Sequence, residues 1–579
     1  MLLINNPLNQ YNTMHILAIH HGSHDSSAAL FTNGKLTAAA EEERFVRIKH
    51  AKDQFPLESI KFVLNQAKIG LDDIDRIAVG SLPKNKLKNI AYFFSASLDR
   101  DSIARSLYLL NNTLVDFAAA MLKPNYNIIT GLRQEFHPPF PPIQNFDHHY
   151  SHAVSAYAMS GMEHAICVTA DGIGNFDSTS VWIGEEDRLN RVQTYNAPNS
   201  VGWLYGATTE FLGFRSVNGE GKVMGLAAHG EFDEDIVGLL ESQLNTGPDY
   251  DVTAITGNGI SGGVNRLESL FETNRLPRDS RPDFTKFHKN LAFATQYVTE
   301  KIICNIVQKY TTEYDVGNVC FAGGVALNCK VNQAISKLDS VDRLFTQPVA
   351  NDAGIAIGAG LAAHESTPKN ELSNLYVGPG HPTEEIEHLL TKAKLEFKKH
   401  EDVVSPAAKH LEDGKIVAWF QGRMELGPRA LGNRSILANP ALPDMKDKIN
   451  KSVKNREDWR PFAPSVLIDH ANDYFEGEMY NSSFMIQTHD VVQSKISEIP
   501  AVIHGGDHTA RPQVVREDQN PKYYDLINEF YSLTGVPVLL NTSLNDNGEP
   551  IIEHPKDALK FFFSNGIDVL VIDNFILEK

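Results

Sequence analysis

Two histidines spaced four apart carry the first hint of chemistry in this chain. In Asp147-His148-His149-Tyr150-Ser151-His152, a helix would put His148 and His152 on one face, where both imidazoles can hold one metal ion. Asp171 in Val-Thr-Ala-Asp-Gly-Ile-Gly and Asp352 in Asn-Asp-Ala-Gly-Ile supply two carboxylates. Two imidazoles and two carboxylates suit Fe2+, Mn2+ or Zn2+ better than an ion that seeks thiolates. Asp171 follows an apolar run and precedes Gly172 and Gly174, which reads as a carboxylate at a strand end beside a phosphate-cradling turn. A metal beside such a loop points to a nucleoside triphosphate. Alone, the histidine pair is weak: most such pairs are surface or satisfied core residues, and His149 stands where a zinc protease has its glutamate.

Gly323 and Gly324 follow the strand Val319–Ala322 and precede a helix running on from Asn328, an arrangement that lets backbone approach an anion closely. Gly219–Gly225, with Lys222 inside it, reads as a flexible loop carrying one cation. The last third is rich in arginine set among glycine and proline. Arg423, Arg429 and Arg434 fall in one run, followed by Lys454, Arg456, Arg460 and Arg511, and Ser543 ends an apolar strand. Each arginine alone is most simply a surface ion pair. Several in rigid turns of an acidic protein suggest a fixed pocket for a small dianion, which the guanidinium fork binds bidentately.

These residues need elements to hold them. A strand over His15–His20 ends in the polar loop His20–Asp25, and Asn33-Gly34 between two apolar runs predicts a hairpin. The same order of strand, polar loop and hairpin recurs over 166–184, with Asp171 in the loop, so an internal duplication of α/β type is expected. Residues 90–140 read as helical and then proline-rich, and 265–312 as mostly helical. Residues 1–14 read as an extension, and the main boundary falls near 370, giving domains 15–370 and 371–579. A second α/β region follows it, with strands at Ile416–Phe420 and Val536–Leu540.

Composition bounds the partners. A net charge of −19 over 579 residues argues against nucleic acid or an anionic membrane as the main partner. Four cysteines without a CxxC pair fit a reducing cytoplasm, and no apolar run is long enough to span a membrane.

The motifs also resemble a family in order along the chain. Ser-His24-Asp25-Ser-Ser-Ala-Ala-Leu, Glu41-Glu-Glu-Arg-Phe45, Asp147-His-His-Tyr-Ser-His152-Ala and Lys222-Val-Met-Gly-Leu-Ala-Ala-His229-Gly resemble the O-carbamoyltransferases of the nodulation and antibiotic-tailoring type. So do Ala322-Gly-Gly-Val, Gly427-Pro-Arg-Ala-Leu-Gly-Asn-Arg434-Ser, Arg460-Pro-Phe-Ala-Pro-Ser and Asn541-Thr-Ser-Leu-Asn-Asp. The resemblance implies a duplicated actin-like ATPase fold followed by a YrdC-like α/β domain. It implies that carbamoyl phosphate loses its phosphate in the C-terminal domain, and that the freed carbamate passes through the interior to form carbamoyl-adenylate with ATP. The carbamoyl group then goes to a hydroxyl of a small natural product.

By motif, His148, His152, Asp171 and Asp352 would ligate the metal, iron first, with Mg2+ accompanying ATP. Gly172, Gly174, Lys222, Gly225, Gly323, Gly324 and Asn328 would line the adenylate site. Arg429, Lys454, Arg460, Arg511 and Ser543 would bind carbamoyl phosphate, with Arg434 beside them. His24, with a pKa expected near neutrality, would be the base for the acceptor, next to Asp25, and Lys49 would contact adenylate or phosphate. Self-association into a homodimer is a further expectation. No motif names the acceptor; residues 84–140 and a loop around Trp203–Arg215 are where its pocket would be sought.

Overall fold

The computed structural model describes residues 13–81, 125–278, 283–364, 366–369, 371–479 and 482–579. The expected extension before residue 13 and most of the helical stretch beyond residue 90 lie outside them. Among the described residues, no helix is long and apolar enough to cross a membrane.

Two five-stranded sheets repeat one topology. In the first, β1 (His15–His20), β2 (Ser27–Thr32) and β3 (Lys35–Glu41) form an antiparallel meander, and β4 (Arg76–Val79) and β5 (Ile143–Asn145) add in parallel on the other side of β1. In the second, β6 (His164–Gly174), β7 (Asp177–Glu185) and β8 (Arg188–Asn196) form the meander, and β9 (Asn318–Ala322) and β10 (Arg343–Thr346) complete it in parallel. The expected duplication is therefore present. Asn33 and Gly34 both take positive φ, 50° and 81°, as a two-residue hairpin turn requires. Asp171 lies within β6 at a break in its pairing with β7 rather than in a separate loop, because the strand continues to Gly174.

Each half ends in a helix that packs back across the sheets: His148–Met159 after β5 and Ala353–Ala362 after β10. The second is apolar or glycine throughout, AGIAIGAGLA, so it is buried on all sides. The two helices cross so closely that a Cβ on Gly358 would lie 1.7 Å from the Ser151 carbonyl oxygen. That contact lies within two turns of the N-terminal end of each helix.

An eight-stranded sheet occupies the C-terminal part, with Val417–Phe420, Arg434–Ala438, Val538–Ser543 and Ala463–Leu467 adjacent at its centre. The two expected strands are among these. The N-terminal part is tied to it by Arg44, which donates to the Gly427 carbonyl at 2.7 Å, and by Arg47, which donates to the carbonyls of Pro550 and Ile551. Arg44 is 2 % exposed and paired with Glu41 and Glu43, so the acidic motif around it serves this junction.

Candidate functional site

The four expected metal ligands converge. His148 and His152 come from one face of the His148–Met159 helix, Asp171 from β6 and Asp352 from the N-terminus of the Ala353–Ala362 helix; one ligand atom from each lies within 4.8 Å of all the others. Asp171 Oδ2 is 3.3 Å from both His148 Nε2 and His152 Nε2, and Asp352 Oδ1 is 3.8 Å from both. Asp171 Oδ1 is held by the N–H of Gly172 at 2.7 Å. Bonds of about 2.0–2.2 Å to one ion ask for ligand atoms roughly 3–4 Å apart. The donor set fits a metal on a second ground. His152 is wholly buried, and its Nε2, although 3.3 Å from Asp171 Oδ2, is not in hydrogen-bonding geometry with it, an arrangement that a shared ion would satisfy. Glycine is required around the cluster: a Cβ on Gly174 would lie 2.1 Å from the His148 ring, and one on Gly324 would lie 2.9 Å from Asp171 Oδ1.

The duplication explains which acid is available. Asp147 and Asp352 occupy matching positions, each just before the helix of its half. Asp147 caps its helix by accepting the Tyr150 N–H at 2.9 Å and pairs with Arg191 at 2.6 Å. Asp352 makes no capping bond, so its carboxylate faces the cluster. His149 is a satisfied core histidine, bonded to Thr169 Oγ1 and the Asp177 carbonyl, and burial pushes its pKa down to about 3. Burial opposes charge on His152 as well, but Asp171 and Asp352 prevail and raise it to about 9. A metal must therefore displace a proton from His152. Sequence reasoning left out His20, whose buried Nε2 lies 3.6 Å from Asp352 Oδ2. Its place at the end of β1, roughly where Asp171 sits on β6, was the signal available.

Beside this cluster, Asp25 bridges two histidines. Its Oδ2 is 3.1 Å from His24 Nδ1 and its Oδ1 is 2.8 Å from His50 Nδ1. Burial disfavours charge on His24, yet Asp25 and the metal-site acids raise it to about 9, so in the metal-free chain it is protonated at neutral pH, not poised there as expected. Lys49 is paired with Glu43 at 3.1 Å.

The second constellation is cationic. Arg429, Arg456, Arg460, Arg511 and Ser543 line one cavity of about 220 Å³, several times the roughly 30 Å³ share of a water molecule. Its wall is completed by the N-terminal part, through Gly225, His229, Cys329 and Lys330. Nε of Arg429 and of Arg511 are buried without a hydrogen-bond partner, and burial together with Arg511 pulls Arg429 down to about 9. Glu457, 3.8 Å from Arg460, is the acid beside them, and the cations of the cavity outnumber it, which suits a bound anion.

Residues 15–361 match the family model described as the carbamoyltransferase N-terminus, and residues 408–579 match the carbamoyltransferase C-terminus. The chain belongs to the carbamoyltransferase family. The nodulation protein NolNO of Sinorhizobium fredii is 35% identical over 96% of this chain and 79% of that protein. The 3'-hydroxymethylcephem-O-carbamoyltransferase of Amycolatopsis lactamdurans is 29% identical over 67% of this chain and 71% of that enzyme. A solved structure, component A of the (R)-2-hydroxyglutaryl-CoA dehydratase of Acidaminococcus fermentans, aligns over 60% of this chain and 97% of its own at 15% identity, with a TM-score of 0.34.

Several motif residues of this carbamoyltransferase do other work than expected. Arg434 is fully buried, donates to the carbonyls of Gln421, Asn433, Gly422 and Pro379, and stacks 3.7 Å from the Phe420 ring centroid; it holds turns together and does not line the cavity. Lys454 is buried and donates to the carbonyls of Ser543 and Asn545, next to the cavity-lining Ser543. Asn328 caps the Cys329–Ser336 helix and exchanges bonds with Gln296. Gly219–Gly225 is not a loop: Glu220–Ala227 is a helix, with Lys222 3.8 Å from Glu457 and Gly225 against Trp459 in the arginine cavity. The stretch around Trp203 is also a helix, Val201–Phe211, and Trp203 approaches Gly172. Gly323 takes φ 90° where a Cβ would lie 2.3 Å from the Ala170 carbonyl oxygen, which keeps the β9 turn against β6.

Proposed function

We propose that this enzyme is an ATP-dependent O-carbamoyltransferase that converts carbamoyl phosphate and ATP to carbamoyl-adenylate and transfers the carbamoyl group to a hydroxyl of a small natural product. The observation that supports it best is the pairing of two incomplete charge clusters in one family member. One has ligands for a divalent cation, and the other has arginines for a dianion.

Arg429, Arg460, Arg511 and Ser543 would bind carbamoyl phosphate. Glycine-lined backbone around Asp171, Gly172, Gly323 and Gly324, with two helix N-termini directed at the cluster, suits the phosphates of ATP. His148, His152, Asp171 and Asp352 would hold a divalent ion, iron by preference, which when bound would offset charge as pyrophosphate departs. His24 would take the proton of the acceptor hydroxyl once its neighbouring acids are engaged, because their attraction is what keeps it protonated in the free chain. Carbamate decomposes in water, so its passage within one polypeptide has a chemical use.

The test is pyrophosphate release from ATP. It should occur only with carbamoyl phosphate present. Pyrophosphate release independent of carbamoyl phosphate, or none with both present and the metal supplied, would refute the proposal.

A further inference from the structure

The arginine cavity contains a histidine that none of the quoted motifs includes. His504 is half-buried and forms part of the cavity lining beside Arg511. Its Nδ1 is 3.1 Å from Thr509 Oγ1. That hydroxyl donates to Asp507 Oδ1 at 2.8 Å and accepts from Lys330 Nζ at 2.8 Å. Lys330 also pairs directly with Asp507.

A hydroxyl has one proton to give and two lone pairs to fill. The Asp507 carboxylate can only accept, so it takes the proton. The Lys330 ammonium can only donate, so it fills one lone pair. The other lone pair faces His504 Nδ1, which must then carry hydrogen. The neutral ring is left with its lone pair on Nε2. The tautomer is thus set by a chain of contacts that crosses the molecule, because Lys330 belongs to the Cys329–Ser336 helix of the N-terminal part. The loop is held to that part at Gly506 as well, where a Cβ would lie 1.4 Å from the Ala228 carbonyl oxygen. His229, the other histidine of the cavity, sits against Trp459 with ring centroids 6.4 Å apart.

We infer that His504 is the general base for breakdown of carbamoyl phosphate in this cavity. The inference rests on the function proposed above. With the phosphoryl oxygens held by arginine, a water lies between phosphorus and Nε2. Nε2 accepts one proton of that water as its oxygen bonds to phosphorus. The bond from phosphorus to the carbamoyl oxygen breaks, and the electron pair leaves with carbamate. The products are carbamate, hydrogen phosphate and an imidazolium, which returns its proton to the departing phosphate. Charge is conserved at two negative charges throughout.

The free ring is held neutral. Burial pushes it down to about 3, opposed by Asp507 and reinforced by Lys330 and Arg511. A phosphate dianion in the cavity acts in the other direction, so proton affinity on Nε2 rises when substrate arrives.

The experiment measures phosphate release from carbamoyl phosphate by the full chain, with and without ATP, and inorganic phosphate binding by calorimetry. His504→Gln should lower kcat for phosphate release about 10²–10⁴-fold, with phosphate affinity held within about threefold. Thr509→Val should fall between wild type and His504→Gln, and Thr509→Ser, which keeps the hydroxyl, should restore most of the rate. Unchanged release by His504→Gln overturns the inference. Loss of phosphate binding in step with rate also overturns it, since that marks a structural role. Failure of the wild type to release phosphate would instead remove the parent reading, and this inference with it.

Discussion

The acid–histidine cluster and the arginine cavity are built on opposite plans. The cluster gathers two carboxylates and two imidazoles, lies within the duplicated N-terminal part, and takes its ligands from both halves of the repeat. The cavity gathers arginines, and its wall needs both parts of the chain. In the first, attraction from the acids outweighs burial and favours the protonated His152; in the second, burial and then repulsion from Arg511 lower the pKa of Arg429. The difference teaches how the chain divides its work. The acid–histidine cluster is assembled within the duplicated part, where two helix ends and β6 meet, whereas the arginine cavity depends on the docking of the two parts.

Breaking the cation site should have the largest effect. The His148→Ala, His152→Ala double variant should lose bound metal altogether and with it pyrophosphate release, while phosphate release from carbamoyl phosphate continues; elemental analysis and the two product assays check this. Full metal content in that variant would overturn the ligand assignment.

Next is the base. His24→Asn should slow transfer to acceptor by about 10²–10⁴-fold with adenylate formation intact, checked by single-turnover assays. The wild-type rate should fall as pH drops through the His24 pKa, because the protonated ring cannot accept, and the variant should lack that inflection.

Breaking the anion site should follow. Arg511→Met removes one charge-assisted partner, so phosphate affinity should fall by about 1.5–3 kcal/mol, roughly 10- to 100-fold. The same variant should melt no lower than wild type in phosphate-free buffer, because it relieves Arg429. A large loss of stability there would count against repulsion between Arg511 and Arg429.

The smallest effect sharpens the comparison through pH. His152 has its folded pKa raised to about 9 from an ordinary 6.5, so its charge stabilises the metal-free fold fully below 6.5 and that contribution is lost as pH rises through 9. Metal competes with this proton, so apparent affinity should fall about tenfold for each pH unit just below 9. Equilibrium dialysis over pH 6–9 measures that slope; a flat profile would count against His152 as a ligand.

The convergence of His148, His152, Asp171 and Asp352 was half legible, because the i, i+4 spacing of the histidines puts them on one helix face. The hairpins and repeated strand pattern were legible for the same reason: Asn33-Gly34 and the two apolar–polar runs state their geometry locally. What was not legible depended on tertiary partners. Arg429 and Arg434 lie five apart in one motif, yet one faces a cavity and the other is consumed by four carbonyls. The carbonyl partners of Lys454 and the helix cap made by Asn328 likewise depend on distant residues that no local spacing announces. Gly219, Gly221 and Gly225 lower helix propensity enough to read as a loop, but Val223, Leu226 and Ala227 bury one face and stabilise the helix. His20 and His504 are single histidines in loops or at a strand end, without periodicity or repetition, and only their surroundings give them meaning.

The central claim is a division of labour between the two clusters, and one crossed assay tests it most directly. Arg460→Ala and the His148→Ala, His152→Ala variant are each given carbamoyl phosphate with ATP, and separately carbamoyl-adenylate with an acceptor alcohol. Arg460→Ala should fail with carbamoyl phosphate yet carbamoylate the acceptor from supplied adenylate, while the histidine variant should still free phosphate from carbamoyl phosphate but make no adenylate. Loss of both reactions in either folded variant would contradict the account.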